Sequence, residues 1–500
     1  MDLSFSNIQR KFFGVWQSSE ATGQQMVRGS FLIFFERFVI KILYFVRTVI
    51  LARLLFPADF GLFGMATLAM NIPGVFTNPA FSSAIVQKKE ITKGELDGAW
   101  TIYFIRNFIL AIVLFFGAPL AGGFFHNSAV VPFVKALSLM YLIMGLESLG
   151  VTLLQKEMKF NKVFIYDMSA VVVEVAVTII AAFILRNAWA LLFGAVANRI
   201  TMAAMSYILH PSRPKLNFRF ADAKSLFHFG KWLGLGGILT FFVSQGDNLM
   251  IGRLLDASAL GFYTVAFALG TLPAVEVARA LGNVLFPLYS KIQDDKQLLN
   301  TSFIKISRLV FALIIPASFG LAVLAKEAVG FVYGERWLAM VPVLYVILVL
   351  ALLKALDFLL NPLFVGIGRP KTTTVISFVQ AIIMFSLIIP LTRKYGMVGT
   401  GLAVLASLFV AEFILLLKLR KAINLRFRAL VKIAVLPLAG SLAMVAALHF
   451  SKNVIFPNTL PIFISYIAAG AIIYFTVLFF LDQIFGKRFY ESLIWIKKNL

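Results

Sequence analysis

Long apolar runs dominate the chain, interrupted at near-regular intervals by short polar stretches. A helix needs about 20 mostly apolar residues to cross the hydrocarbon core of a bilayer. About fourteen stretches meet that need. In the first half they lie roughly at 30–52, 60–81, 99–121, 130–154, 163–185 and 188–209. In the second they lie roughly at 226–251, 259–284, 304–325, 338–360, 372–392 and 396–418, with a last pair at 430–450 and 460–484. Strand-like alternation is absent, which argues against a membrane β-barrel. The pattern predicts an all-α integral membrane protein.

Composition agrees. Hydrophobic residues make up 60% of the 500 and charged residues only 14%, with a mean hydropathy of +0.90. A soluble domain carries about a quarter charged residues, so charge this sparse cannot cover a water-facing surface. The N-terminal stretch MDLSFSNIQRKFFGVWQ lacks the uninterrupted apolar segment and small-residue cleavage site of a removable signal, so the first membrane helix is expected to be retained. There is no Cys, which removes disulfides and thiolate metal sites. His126, His210, His228 and His449 show no ligand spacing, so no metal site is expected.

The net charge of +23 is distributed unevenly. Alternate connections are basic: Lys88, Lys89 and Lys93; Lys156, Lys159 and Lys162; Arg213, Lys215, Arg219 and Lys224; Lys418 to Lys432. The intervening connections hold mostly one or two bases, such as Arg53, Arg186 and Arg253. The positive-inside rule places the basic connections and both termini in the cytoplasm. It accounts for the surplus charge without a nucleic-acid partner, and the basic face suits an anionic inner leaflet.

The stretch from 50 to 80 aligns without a gap on 250–280. Shared positions include Arg53 with Arg253, Leu54 with Leu254, Gly61 with Gly261, Ala66 with Ala266 and Pro73 with Pro273. Each copy covers the end of one span, a tight turn and the next span with an internal Pro. A Pro there removes a backbone bond and kinks the helix, which makes Pro73 and Pro273 candidate hinges. Copies six spans apart run in the same direction, so the repeat is parallel. The expected organisation is an N-terminal segment (1–29), a first lobe of six helices (30–209), a linker (210–225), a second lobe of six (226–418), an extra helix pair (419–484) and a tail (485–500).

The segments LARLLFPADFGLFGMA (51–66), FSSAIVQKKEIT (81–92), LLQKEMKFNK (153–162), DNLMIGRLLDASALGFYTVAFAL (247–269) and VLFPLYSKIQDD (284–295) resemble bacterial polysaccharide repeat-unit flippases, O-antigen and colanic-acid type, of the multidrug/oligosaccharidyl-lipid/polysaccharide exporter superfamily. The resemblance covers most of 28–420. It implies a V-shaped pair of six-helix bundles around a central cavity that opens alternately to either side. It implies as cargo an undecaprenyl-pyrophosphate-linked oligosaccharide, a bacterial inner-membrane location, and glycosyltransferases and a polymerase as pathway partners.

Ionisable residues within a span are costly and tend to face a cavity or a partner. The first span carries Glu36, Arg37, Lys41 and Arg47 within an arc of roughly 140°. One reading is a cationic wall for an anionic head group, since Arg matches paired phosphate oxygens. The other is that Glu36 neutralises Arg37 while Lys41 snorkels. Arg106, Arg199 and Arg279 are further candidates for the cavity, and Lys135, Lys231 and Lys354 are buried bases. Glu276 with Arg279 and Lys354 with Asp357 have the spacing of intrahelical ion pairs. Glu36, Asp167, Glu174, Asp247 and Glu412 are candidate coupling or gating acids. Tyr44, Tyr103 and Trp232 are the aromatics placed to meet a sugar. The repeat pairs Arg47 with Asp247, which either meet across the two lobes or pair each within its own.

No cofactor is expected. A Na+ or H+ gradient, or the membrane potential, is the candidate energy source. No GxxxxGK[ST] motif supports an ATP-driven pump, and the short outer loops lack the acid and base groups of a glycosyltransferase or glycan polymerase. A cation-coupled drug exporter of the same superfamily is the alternative. An Arg-rich first span suits its cationic cargo poorly.

Overall fold

The computed structural model describes residues 21–77, 81–453, 457, 459–486, 489, 491–492 and 494–495. Within its helices, the side chains of 21–31, 33–34, 220–236, 278–283, 427 and 430 lie outside the description. No strand occurs among the described residues.

The first half comprises α1 (Ala21–Leu54), α2 (Pro57–Phe76), a short α3 (Phe81–Gln87), α4 (Lys93–Phe124), α5 (Val130–Leu146), α6 (Gly150–Lys156), α7 (Phe160–Leu185) and α8 (Trp189–Leu209). The second comprises α9 (Phe220–Leu254), α10 (Ala257–Lys291), α11 (Lys296–Val323), a short α12 (Ala325–Val332), a 3-10 turn (Glu335–Met340), α13 (Val341–Gly366) and α14 (Pro370–Ile423). Helices α15 (Phe427–Lys452) and α16 (Leu460–Ile484) complete the described chain.

Among the described residues, ten helices are long and apolar enough to cross a membrane, or eleven if α5 and α6 form one broken span. Two more, α1 and α9, run for 34 and 35 residues and are less apolar. Helix α14 is two spans in one, bent at Gly396, whose φ of 59° only a residue without Cβ adopts readily. These three supply the remaining crossings of the expected set.

Capping follows the sequence. Thr92 accepts from the Glu95 amide at 3.3 Å and the Glu95 carboxylate accepts from the Thr92 amide at 3.0 Å, a reciprocal box that starts α4. Asp256 and Asp295 cap α10 and α11 by accepting from the Ala259 and Leu298 amides. Asp59 accepts from the Phe56 amide at 2.9 Å and from the Ala188 amide at 3.0 Å, tying the start of α2 to the start of α8.

Three expectations need correction. The span expected at 130–154 bends by 60° between α5 and α6, because Glu147 adopts an extended conformation (φ −66°, ψ 132°). Helix α9 begins at Phe220, so the extended linker is shorter than 210–225. Its backbone is tied to the first half: the Lys215 amide donates to Asp97 at 3.1 Å and the Asn217 amide to Thr101 at 2.8 Å. The two kinks are also unequal. Helix α2 stops at Phe76, three residues past Pro73, whereas α10 runs through Pro273 to Lys291. Gly74 and Pro79 follow Pro73, where Ala274 and Arg279 follow Pro273. A second Pro and a Gly stop a helix that Ala and Arg continue.

The basic connections gather at one face. Lys156 Nζ donates to the Lys88 carbonyl at 2.5 Å, and Lys162 Nζ to the Leu209 carbonyl at 2.9 Å. At the opposite face a single apolar cluster contains Met65, Phe125 and Val130 from the first half, and Leu249, Leu260, Tyr263 and Trp337 from the second. Towards the basic face each half keeps its own core: Phe81, Ile85 and Ala99 in the first, Tyr289, Phe303, Phe364 and Leu419 in the second. The halves therefore share an apolar core at the opposite face, while below it their cores are separate and α9 packs on α3 and α4 of the first half.

Candidate functional site

Helix α1 packs along α7 and carries the polar stripe. The four charged residues of that stripe do not behave alike. Glu36 is 5% exposed and lies beside Asp167 of α7, with Arg37 close enough to act on both carboxyls. Arg37 itself is exposed.

Arg47 forms an ion pair with Glu174 of α7 and lies over the Tyr44 ring, 4.7 Å from its centroid. Tyr44 Oη donates to the other Glu174 oxygen at 2.8 Å. Asp247 is 3% exposed and accepts from Tyr263 Oη at 2.9 Å and the Asn248 amide at 2.8 Å. Arg47 and Asp247 therefore each pair within their own half. The cross-lobe bridge between them does not form here.

What joins the halves on the cation-bearing level is Lys41. Its Nζ lies 3.4 Å from Glu276 Oε1 of α10, with side-chain exposures of 39% and 31%. Glu276 was expected to pair along its own helix with Arg279, whose side chain, like those of Lys231 and Trp232, lies outside the described residues.

Arg106 points at the broken end of α2. Its Nη2 donates to the Gly74 carbonyl at 2.7 Å and its Nε to Thr77 Oγ1 at 3.0 Å. A cation at a helix C-terminus meets the negative end of the dipole and the unpaired carbonyls. Arg199 of α8 acts on Tyr44, Tyr103 and Glu147 through its charge, which brings these residues to one wall of the first half. Glu147 accepts from Tyr166 Oη. In the second half Lys354 lies 5.1 Å above the Phe267 ring. Its charge acts on the expected partner Asp357, which also lies beside Glu412 of α14 and accepts from Asn361 Nδ2. Lys135 is over the Phe115 ring at 5.4 Å.

The closure at the opposite face repeats the internal symmetry of the sequence. A Cβ on Gly61 of α2 would collide with the Ala257 carbonyl of α10, 2.9 Å from its Cα. A Cβ on Gly261 of α10 would collide with Pro57 of α2, 2.8 Å from its carbonyl carbon. Gly61 aligns with Gly261, and Pro57 with Ala257, so the two helices cross at equivalent points. Arg53 donates to the Phe331 carbonyl of the second half. Its repeat partner Arg253 donates to the Phe124 carbonyl of the first at 3.0 Å, over the Phe124 ring. Trp337, fully buried, donates to the Ala52 carbonyl at 2.9 Å and packs edge-on against Phe60 and Phe262. None of Arg53, Arg253 or Trp337 is marked by in-membrane charge. The signal for the two arginines was their match in the repeat.

The family described as polysaccharide biosynthesis protein matches residues 50–342. The lipopolysaccharide biosynthesis protein WzxC of Escherichia coli (strain K12) is 26% identical over 375 residues, 74% of this chain and 75% of its own. The succinoglycan biosynthesis transport protein ExoT of Rhizobium meliloti (strain 1021) is 24% identical over 306 residues, 60% of this chain and 61% of its own. The structure of the lipid II flippase MurJ in an inward closed conformation superposes with a TM-score of 0.72 at 18% identity, covering 92% of this chain and all of that one. At that identity the superposition is a likeness of fold, that of a two-lobe membrane transporter.

Proposed function

We propose, from the premise that the chain belongs to the polysaccharide biosynthesis protein family, that it flips lipid-linked oligosaccharide repeat units across a bilayer for lipopolysaccharide or exopolysaccharide synthesis. It is a transporter, not an enzyme. The cargo is an undecaprenyl-pyrophosphate-linked glycan, handed over by glycosyltransferases on the cytoplasmic side and passed to a polymerase beyond. The membrane is the bacterial inner membrane, with the basic face and both termini cytoplasmic, a reading that the distribution of Lys and Arg supports.

One observation carries this reading. Below the apolar closure, Lys41 of α1 meets Glu276 of the other half, and Arg37, one turn before Lys41 on α1, is exposed. A pyrophosphate satisfies such cations, whereas a cationic drug is repelled by them. Arg47 is already neutralised by Glu174 and serves to shape that wall. The test uses vesicles containing the chain and a lipid-linked oligosaccharide with a tagged glycan. An impermeant reagent should reach the inner-leaflet share of the tag only when the chain is present. Protection equal to that in empty vesicles would refute flipping.

The paired acids support a Na+ or H+ gradient as the energy source. Glu36 with Asp167 and Asp357 with Glu412 bring carboxyl groups together in pairs, one in each half, and a carboxyl that takes up a proton can donate to its neighbour. Glu412 is 2% exposed and its Oε2 has no partner, so a proton or a Na+ ion entering there finds an open ligand. Glu412→Gln is expected to leave the chain in the membrane and abolish the acceleration of flipping by an imposed ion gradient. Acceleration undiminished in both Glu412→Gln and Glu36→Gln would exclude coupling at these pairs.

A further inference from the structure

Helices α1 and α10 belong to different halves, yet Lys41 and Glu276 meet between them. Lys41 lies thirteen residues before the end of α1 at Leu54, about 20 Å along the helix. Glu276 lies nineteen residues after the start of α10 at Ala257, about 28 Å along. The pair thus sits well below the glycine crossing, on the side of the basic face, where the halves no longer share a core.

A carboxylate and a phosphate offer a lysine the same thing: a pair of anionic oxygens. The phosphate offers more charge and binds the ammonium more strongly. We propose that Glu276 is a built-in counter-ion that occupies Lys41 while the translocation path is empty and yields it to the diphosphate of the cargo. Cargo binding then breaks a link between the halves. This deepens the flippase reading and rests on it.

The placement supports exchange rather than a permanent strut. Both side chains are about one-third exposed, so water and ligand reach the pair. The Arg47–Glu174 pair, which lies within one half, is more buried on both sides, at 21% and 13%. An ion pair as open as Lys41–Glu276 contributes modestly, which is what a displaceable contact requires. A tight one would compete too well with cargo. Glu276 also sets selectivity: a neutral or cationic head group cannot release Lys41 from it.

Spin labels test this, since the chain has no native Cys. Labels at Met158 and Asp294, exposed positions on the basic face of the two halves, report their separation. The protein is placed in phosphatidylcholine nanodiscs, with undecaprenyl diphosphate as the probe and undecaprenol as the uncharged control. In the parent, the diphosphate lipid should lengthen the distance and undecaprenol should not. Glu276→Gln should lengthen it without lipid, raising the open-to-closed ratio about two- to five-fold, and should bind the diphosphate lipid tighter by a similar factor. Lys41→Gln should open to the same extent without lipid but bind the diphosphate lipid more weakly than the parent.

A merely structural bridge would open both variants alike and leave lipid affinity in Glu276→Gln unchanged or reduced; that result overturns the proposal. So does a Lys41→Gln variant that binds as tightly as the parent. If the parent binds the diphosphate lipid while Glu276→Gln matches it in distance and affinity, only the counter-ion role falls. If the parent binds undecaprenyl diphosphate no better than undecaprenol, the cargo assignment itself falls, and the counter-ion role with it.

Discussion

A Gly61→Val chain should reach the membrane in normal amount and flip no measurable cargo, because it cannot close the face opposite the basic one. At the crossing of α2 and α10, the space that a Cβ would need is filled by the Ala257 carbonyl, a backbone group. A side chain in the way could rotate aside, and overpacking would then cost about 1–3 kcal/mol. A backbone carbonyl cannot, so the cost sits at or above the top of that range. It applies only to the conformation in which the two helices touch. About 3 kcal/mol displaces a two-state equilibrium more than a hundredfold. The variant should therefore populate a form open at that face. Spin labels at Ser128 and Glu335, exposed positions at that face of the two halves, should move apart. Gly261→Val should behave alike, because Gly261 meets Pro57 in the mirrored contact. Gly117→Val in α4 is the control: nothing lies within 4 Å of its added Cβ, and both flipping and distance should match the parent. Unchanged distances in the Gly61 and Gly261 variants would show that the crossing is not a gate.

Both glycines were visible in the sequence as members of the gapless repeat, along with Arg53 and Arg253. What the repeat could not disclose is that equivalent positions touch. Alignment shows that two segments share a conformation, and only the packing of the two halves shows that the segments cross at those points. The helices were legible for a simpler reason. Each span must satisfy its own backbone hydrogen bonds in lipid, so about 20 apolar residues announce themselves whatever their partners. Breaks inside apolar runs were less legible. Glu147 and Gly396 interrupt α5–α6 and α14 through backbone conformation, and hydropathy does not register it. The early stop of α2 was readable from Gly74 and Pro79, which have no counterparts after Pro273. Partners of the buried charges were illegible on principle. The arc on α1 fixes which side of that helix is polar, but Glu174 is 127 residues away from Arg47, and Glu276 lies on a helix of the other half. Spacing identifies pairs three or four apart on one helix, which is why Lys354 was matched with Asp357, whereas spacing gave no sign of Glu412 of α14 beside the same Asp357.

Glu174→Ala is expected to harm the protein more than removing Arg47 and Glu174 together. The pair is mostly buried, with exposures of 21% and 13%, and Arg47 Nε already lacks a hydrogen-bond partner. Deleting the acid strands a guanidinium against the Tyr44 ring, with no anion to offset its desolvation. For a fully buried pair that costs about 3–5 kcal/mol; the remaining exposure brings it down to about 2–4 kcal/mol. The expected sign is a fall of roughly 3–6 °C in the melting midpoint of the purified chain. In the Arg47→Ala/Glu174→Ala double variant no charge is left unpaired, and most of that loss should return. Equal losses in the single and double variants would mean that Glu174 acts through something other than Arg47. Flipping by the double variant then separates two roles for Arg47. If the guanidinium only shapes the wall of the path, the stable double variant should flip cargo. If it also meets the pyrophosphate once Glu174 releases it, the double variant should be stable and inactive, and Lys at 47 should restore only part of the rate, because an ammonium lacks the paired donors of the guanidinium.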